Sequence, residues 1–241
     1  MKGFDLMRKS ILCPALALIL GGLGAALRMR QLAQYENGLP PVDSPVSLLL
    51  ILLCAAAAVL FLVLAFRSGG CPSDCAFSGS HPIRAGLLLV CAALMLLSAV
   101  FYLKDVMDSR AAGEPVSVLL LELILVILSV PTVISLAFLG KDAKEGGGRS
   151  RNSLTVVSPV LYCWVWLIEA YRRHTANPVL WDYVFLLLAV IALLVAVFGR
   201  SSFAFGDGRP RLTVFSGLAA LFLAPIALTD WYGLAHLAAT A

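Results

Sequence analysis

A single carboxylate, Glu122, stands inside an otherwise uncharged run of twenty-six residues, Pro115 to Gly140, flanked by Glu114 and Lys141. A run of that length can span a bilayer. An ionisable group inside it costs about 2.5 to 3.5 kcal/mol even on the lenient insertion scale, so something must offset that cost. At about 1.5 Å per residue, Glu122 lies about 10 Å inside the boundary set by Pro115. Ser129 follows seven residues later, almost on the same helical face, with Thr132 close by and Pro131 between them. Proline removes a backbone donor and frees a carbonyl, so these residues predict a kinked helix with a polar stripe. Two kinds of chemistry suit that stripe. Glu122 is either a protonatable group or ligand contact in a bundle interior, or a carboxyl group hydrogen-bonded to a neighbouring helix that fixes packing alone.

A second constellation lies further along the chain. Tyr162, Trp166, Glu169 and Arg173 fall at i, i+4, i+7 and i+11, one stripe of a helix. After a turn come Asn177, Pro178, Trp181, Asp182 and Tyr183, and the last apolar run closes with Asp230, Trp231 and Tyr232. An aromatic belt would place Trp and Tyr at both membrane interfaces, whereas here the opposite ends offer only Phe. The asymmetry favours a vestibule in which Glu169 pairs with Arg173 and flat aromatic walls receive an organic solute. The candidate solute-binding residues are therefore Glu122, Trp166, Glu169, Arg173, Trp181 and Asp182.

Other reactive side chains are less suggestive. Cys13, Cys54, Cys91 and Cys163 sit within apolar runs and serve as small fillers. Cys71, Cys75 and His81 share a loop with Asp74, yet structural zinc takes four ligands and no further Cys or His is near, so neither a metal nor another cofactor is expected. The Gly206-Asp207-Gly208 segment is a turn before Arg209 and Arg211, without the lysine of a phosphate loop. His174 and His236 are placed for solvation or for proton transfer near one face. No metalloprotease helix, nucleophile elbow or lysine in the last apolar run is present, so no catalytic residue is assigned and an enzyme is disfavoured.

The elements that must hold these residues follow from composition. Of 241 residues, 61% are hydrophobic and 13% charged, about half the charge of a soluble domain. Apolar runs near 10–27, 46–66, 85–103, 115–140, 152–168, 183–199 and 212–229 lack strand-period alternation, which predicts an all-α, seven-transmembrane helical bundle. The connections are too short for a soluble domain, so residues 1–241 form a single integral membrane domain. Gly146, Gly147 and Gly148 mark a linker.

Basic residues set the orientation. With the N-terminus inside, Lys2, Arg8, Lys9, Arg67, Arg84, Lys141, Lys144, Arg149, Arg151, Arg200, Arg209 and Arg211 are cytoplasmic. Only Arg28, Arg30, Lys104, Arg110, Arg172 and Arg173 fall outside, so the expected topology is N-terminus cytoplasmic and C-terminus outside. The net charge of +4 follows from this basic inner rim and calls for no nucleic acid. Lys2, Arg8 and Lys9 before an apolar run ending in Gly24-Ala25-Ala26 also have the form of a signal peptide; the long span followed by Arg28 and Arg30 favours an uncleaved first helix.

The punctuation recurs. Pro14 precedes Arg28 as Pro159 precedes Arg173, and Pro45 precedes Arg67 as Pro178 precedes Arg200. This spacing suggests a 3+1+3 parallel repeat with the fourth helix as linker, an architecture that resembles sugar-efflux and PQ-loop transporters, although no Pro-Gln motif is present. The stretch from Gly21 through Gln31-Leu32-Ala33 to Gly38-Leu39-Pro40, with Tyr171 to His174 and Asn177 to Leu180, resembles bacterial polytopic membrane proteins of no assigned activity. That resemblance implies a bacterial inner-membrane location and carries no functional residue with it. The expected partner is the lipid bilayer, with a small organic solute bound or moved, in a proton-coupled manner if Glu122 titrates. The alternative is an accessory or scaffold protein. Its small-residue stripes, Gly21 with Ala25 and Gly22 with Ala26, would then dock a second copy or a membrane partner.

Overall fold

A computed structural model describes residues 2–35, 44–67, 82–113, 116–145, 156–174, 183–206 and 208–240, with side chains for 12–35, 44–67, 82–113, 119–145, 156–174, 183–206 and 208–230. The described residues form seven helices: α1 (Lys2–Leu32), α2 (Pro45–Arg67), α3 (Pro82–Ala111), α4 (Val116–Glu145), α5 (Val157–His174), α6 (Val184–Phe205) and α7 (Pro210–Thr240). No strand occurs among them, and the all-helical bundle agrees with the periodicity of the sequence.

Six helices are long and apolar enough to cross a membrane, and large apolar side chains on their outer faces, such as Ile19, Leu52, Leu87 and Ile127, are exposed as lipid contact requires. The six exclude α5, an eighteen-residue helix that carries Glu169, Arg172 and Arg173 in its last turns. Hydropathy marks the apolar stretch of a helix and not its ends. Hence α3 runs on to Ala111 beyond the apolar 85–103, and α7 continues through Asp230. Backbone helicity also passes uninterrupted through Pro14, Pro131 and Pro225.

The chain divides into two compact units. One comprises 1–69, 174–196 and 210–241, the other 70–173 and 197–209. The contacts group α1, α2 and α7 in the first unit, and α3, α4 and α5 in the second.

In the first unit, Ala17, Leu50, Ala57, Phe61, Phe185, Leu218, Phe222 and Ile226 form the apolar core. Close approach of α1 to α7 depends on glycine. A Cβ on Gly21 would lie 2.6 Å from the Phe222 carbonyl oxygen, and one on Gly24 would lie 2.6 Å from Ile226 Cδ1. Gly21 faces Phe222, Gly24 faces Ile226 and Arg28 meets Asp230, so residue numbers rise together and α1 and α7 run parallel. The opposite order holds for α1 and α2, where Gln31 meets Ser47 and Gly24 approaches Leu53.

In the second unit α3 packs antiparallel on α4. Gly140 lies against Ala85 and Leu89, while Tyr102 lies near Glu122 at the other end. The inward face of α4 is the predicted polar stripe: Leu125, Ser129, Thr132 and Ser135 are buried in succession. Ser129 Oγ donates to the Val126 carbonyl, and Thr132 Oγ1 donates to the Leu128 carbonyl while lying 3.0 Å from Ser158 Oγ of α5. Hydroxyls bonded in this way can be buried in an apolar environment without an orphaned donor.

Candidate solute site

Glu122 lies one turn before Leu125 on the buried stripe of α4. The α5 residues that meet it follow from helical spacing, since Tyr162, Trp166, Glu169 and Arg173 share one face. Arg173 Nε donates to Glu169 Oε1 at 2.7 Å, and Nη2 lies 2.7 Å from the same oxygen. Nη2 also donates to Glu122 Oε1 at 3.1 Å, which ties α4 to α5 through a cation between two carboxylates. Exposure differs across the three. The Glu169 side chain is 4% exposed, Glu122 is 16% and Arg173 is 45%, so the guanidinium is the outermost group and the carboxylates lie behind it. The charge on Glu122 thus has its counter-ion, the offset that its place in an apolar run requires.

Aromatic groups complete the cluster. The Tyr102 hydroxyl of α3 lies close to the Trp166 indole and within electrostatic reach of Glu169, Arg173 and Glu122. Tyr162 is buried, its ring centroid 6.4 Å from that of Trp166. Tyr102 and Trp166 therefore lie beside the ion pairs, with Tyr162 next to Trp166 along α5. Such a site can hold a charged organic group against fixed counter-charges while rings cover its apolar part.

No protein-family profile, curated protein or solved structure matches this chain.

Of the six residues expected to bind solute, the structure brings four together: Glu122, Trp166, Glu169 and Arg173. Trp181 and Asp182 lie outside the described residues, as do Cys71, Asp74, Cys75 and His81, the linker glycines Gly146 to Gly148, and Asp207. Among the described residues no group of three His, Cys, Asp or Glu is arranged to hold a metal ion. The His174 ring stacks obliquely on Tyr183, with centroids 5.4 Å apart.

Tyr102 escaped the sequence argument because a tyrosine near the end of an apolar run looks like an interface residue. The signal available was its position at the same end of its run as Glu122. Arg28, expected outside, is instead fully buried, and its Nε donates to Asp230 Oδ1 at 2.6 Å. Arg28 Nη1 donates to Gln31 Oε1 at 2.7 Å and to Tyr35 Oη at 3.3 Å, and Gln31 Nε2 donates to Ser47 Oγ at 2.7 Å. The guanidinium carbon also sits 5.4 Å from the Phe185 ring centroid. Residues from α1, α2, α6 and α7 therefore converge around one buried charge. The clue in the sequence was that Arg28 and Asp230 each lie one residue beyond an apolar run, the first and the last.

The small-residue stripes also divide. Gly21 is used within the unit against α7, whereas Gly22 has nothing within 4 Å of an added Cβ and Ala26 is exposed.

Proposed function

We propose that this chain is a multi-pass protein of the bacterial plasma membrane that binds a small organic solute at the Glu122, Glu169, Arg173, Tyr102 and Trp166 cluster, and moves it across the bilayer. The observation that carries this reading is the meeting of Glu122 from α4 with Glu169 and Arg173 from α5, with the guanidinium half exposed. A purely structural pair is expected to be closed off inside the protein, as Arg28 and Asp230 are. This cluster has an open side, two carboxylates for one cation, and three aromatic rings. Glu122, the more exposed carboxylate, is the group assigned to proton coupling.

Parity supports seven crossings. If only the six most apolar helices crossed, α7 would be the sixth crossing and would run opposite to α1; the two run parallel. The stretch containing α5 then supplies the seventh crossing, and the termini lie on opposite faces. The basic residues favour a cytoplasmic N-terminus, since twelve of the eighteen fall on that side.

The test is uptake of a panel of radiolabelled small organic solutes into proteoliposomes, comparing the parent chain with Glu122→Gln under an imposed pH gradient. A solute taken up by the parent and lost in the variant is expected. Uptake of every transported solute unchanged by the substitution would remove Glu122 from the mechanism.

A further inference from the structure

We propose that the start of α3, the end of α4 and the last turns of α6 together bind the phosphodiester headgroup of an anionic phospholipid, through Arg84, Lys141 and Arg200. This site is separate from the solute cluster, which lies at the opposite ends of α3 and α4. Three helices of one unit bring its cations together. Gly140 of α4 packs on α3, where an added Cβ would lie 3.4 Å from the Ala85 carbonyl oxygen and from Leu89 Cγ, so Lys141 stands level with the first turn of α3. Arg84 belongs to that turn and lies within electrostatic reach of Arg200 of α6, although both are cations. Arg84 and Lys141 are exposed, and Arg200 is half-buried.

The charge at these helix ends does not balance. The described residues there supply Arg84, Lys141, Lys144 and Arg200 against Asp142 and Glu145, four positive charges to two negative. Lys141 Nζ and Glu145 Oε1 are 4.0 Å apart with both side chains exposed, which makes a weak pair. No acidic residue lies in the first turn of α3, where the helix dipole favours an anion and penalises Arg84. A phosphate group held by Arg84 and Arg200 relieves both the repulsion and the dipole mismatch, and its oxygens match the guanidinium fork. The surface beside Arg84 favours a lipid over a free phosphate ion. Ile83, Leu87 and Val90 follow at i, i+4 and i+7 on one face of α3 and are 75%, 61% and 55% exposed. Of the six apolar helices α3 is the least buried. An acyl chain attached to the bound phosphate runs along that stripe, whereas a free ion makes no use of it. A zwitterionic lipid brings its own cation to a positively charged surface and forfeits the attraction.

The experiment is native mass spectrometry of the detergent-purified full chain with phosphatidylglycerol, with phosphatidylcholine at equal concentration and inorganic phosphate as the comparison arms. Phosphatidylglycerol is expected to bind about tenfold or more tightly than phosphatidylcholine. Because Arg200 is half-buried, the exposed pair carries the test. Arg84→Gln and Lys141→Gln are each expected to weaken phosphatidylglycerol binding about fivefold, and Arg84→Lys, which keeps the charge, is expected to lose less. Arg110→Gln, exposed at the opposite end of α3, is expected to leave binding unchanged. Phosphatidylcholine bound as tightly, or no loss in either Arg84→Gln or Lys141→Gln, overturns the site. An equal loss in Arg110→Gln also overturns it, by making the effect one of net charge. Displacement of phosphatidylglycerol by inorganic phosphate at equal concentration overturns the lipid as occupant.

Discussion

Arg28 and Asp230 stand 202 residues apart in sequence, yet their side chains meet at 2.6 Å with the arginine wholly buried. They are the polar end of a parallel helix pair whose apolar part is the contact of Gly21 and Gly24 with Phe222 and Ile226. Removing one partner leaves a buried charge without its counter-ion, which costs about 3 to 5 kcal/mol. Arg28→Met and Asp230→Asn are each expected to lower the midpoint of unfolding in a dodecyl sulfate titration. The double variant should recover much of the loss, since replacing both charges is often near neutral. A double variant as unstable as the sum of the singles would contradict this account.

Glu169 and Glu122 share Arg173 but differ in what they do for the fold. Glu169 is almost fully buried and receives two guanidinium nitrogens from the next turn of its own helix. Glu169→Gln is expected to cost about 2 to 3 kcal/mol, because a strong charge-assisted bond in a buried position becomes a weaker one. Glu122→Gln removes the excess negative charge and is expected to shift stability by about 1 kcal/mol or less in either direction. Comparing the two variants by thermal unfolding in detergent checks the order. Greater loss in Glu122→Gln would make Glu122 a packing residue.

Three glycines of α1 give a graded series. At Gly21 a new methyl group meets the backbone carbonyl of Phe222, which cannot rotate away, so Gly21→Ala should force α1 and α7 apart and cost about 1 to 3 kcal/mol. At Gly24 the obstacle is the terminal methyl of Ile226, which can change rotamer, and the loss should be smaller. Gly22→Ala meets nothing and should be neutral, or stabilising by up to about 1 kcal/mol through helix propensity. Unfolding midpoints of the three variants test the order Gly21, Gly24, Gly22.

The proposed seven crossings would place the two termini on opposite faces. Reporter fusions that are active on one side only, an alkaline phosphatase after Ala241 and a fluorescent protein before Met1, are both expected to be active. A C-terminal phosphatase that stays inactive while the N-terminal reporter fluoresces would indicate an even number of crossings and remove α5 from the membrane.

The sequence by itself determined the membrane-embedded helical architecture and the chemistry of the Glu122 cluster. Both are local in origin. Hydropathy over about twenty residues identifies a span whatever surrounds it, and i, i+4 and i+7 spacing puts Trp166, Glu169 and Arg173 on one face before any fold is known. The apolar run 152–168 is legible as a span, but helix α5 as it forms, Val157–His174, carries Glu169, Arg172 and Arg173 in its last turns, and that polar cost is met by another helix. The tertiary structure alone decided that Glu122 is reached by Arg173, that Tyr102 joins them, and that Arg28 leaves the surface for Asp230. Each of these depends on which helices are neighbours. In a lipid environment that choice is made by close packing at positions such as Gly21 and Gly24 and by pairing of the few polar groups, neither of which leaves a periodic trace in the sequence. Pro and Arg near span ends reflect the bilayer interfaces that every helix meets, whereas the grouping of α1, α2 and α7 reflects the surfaces those helices bury against one another.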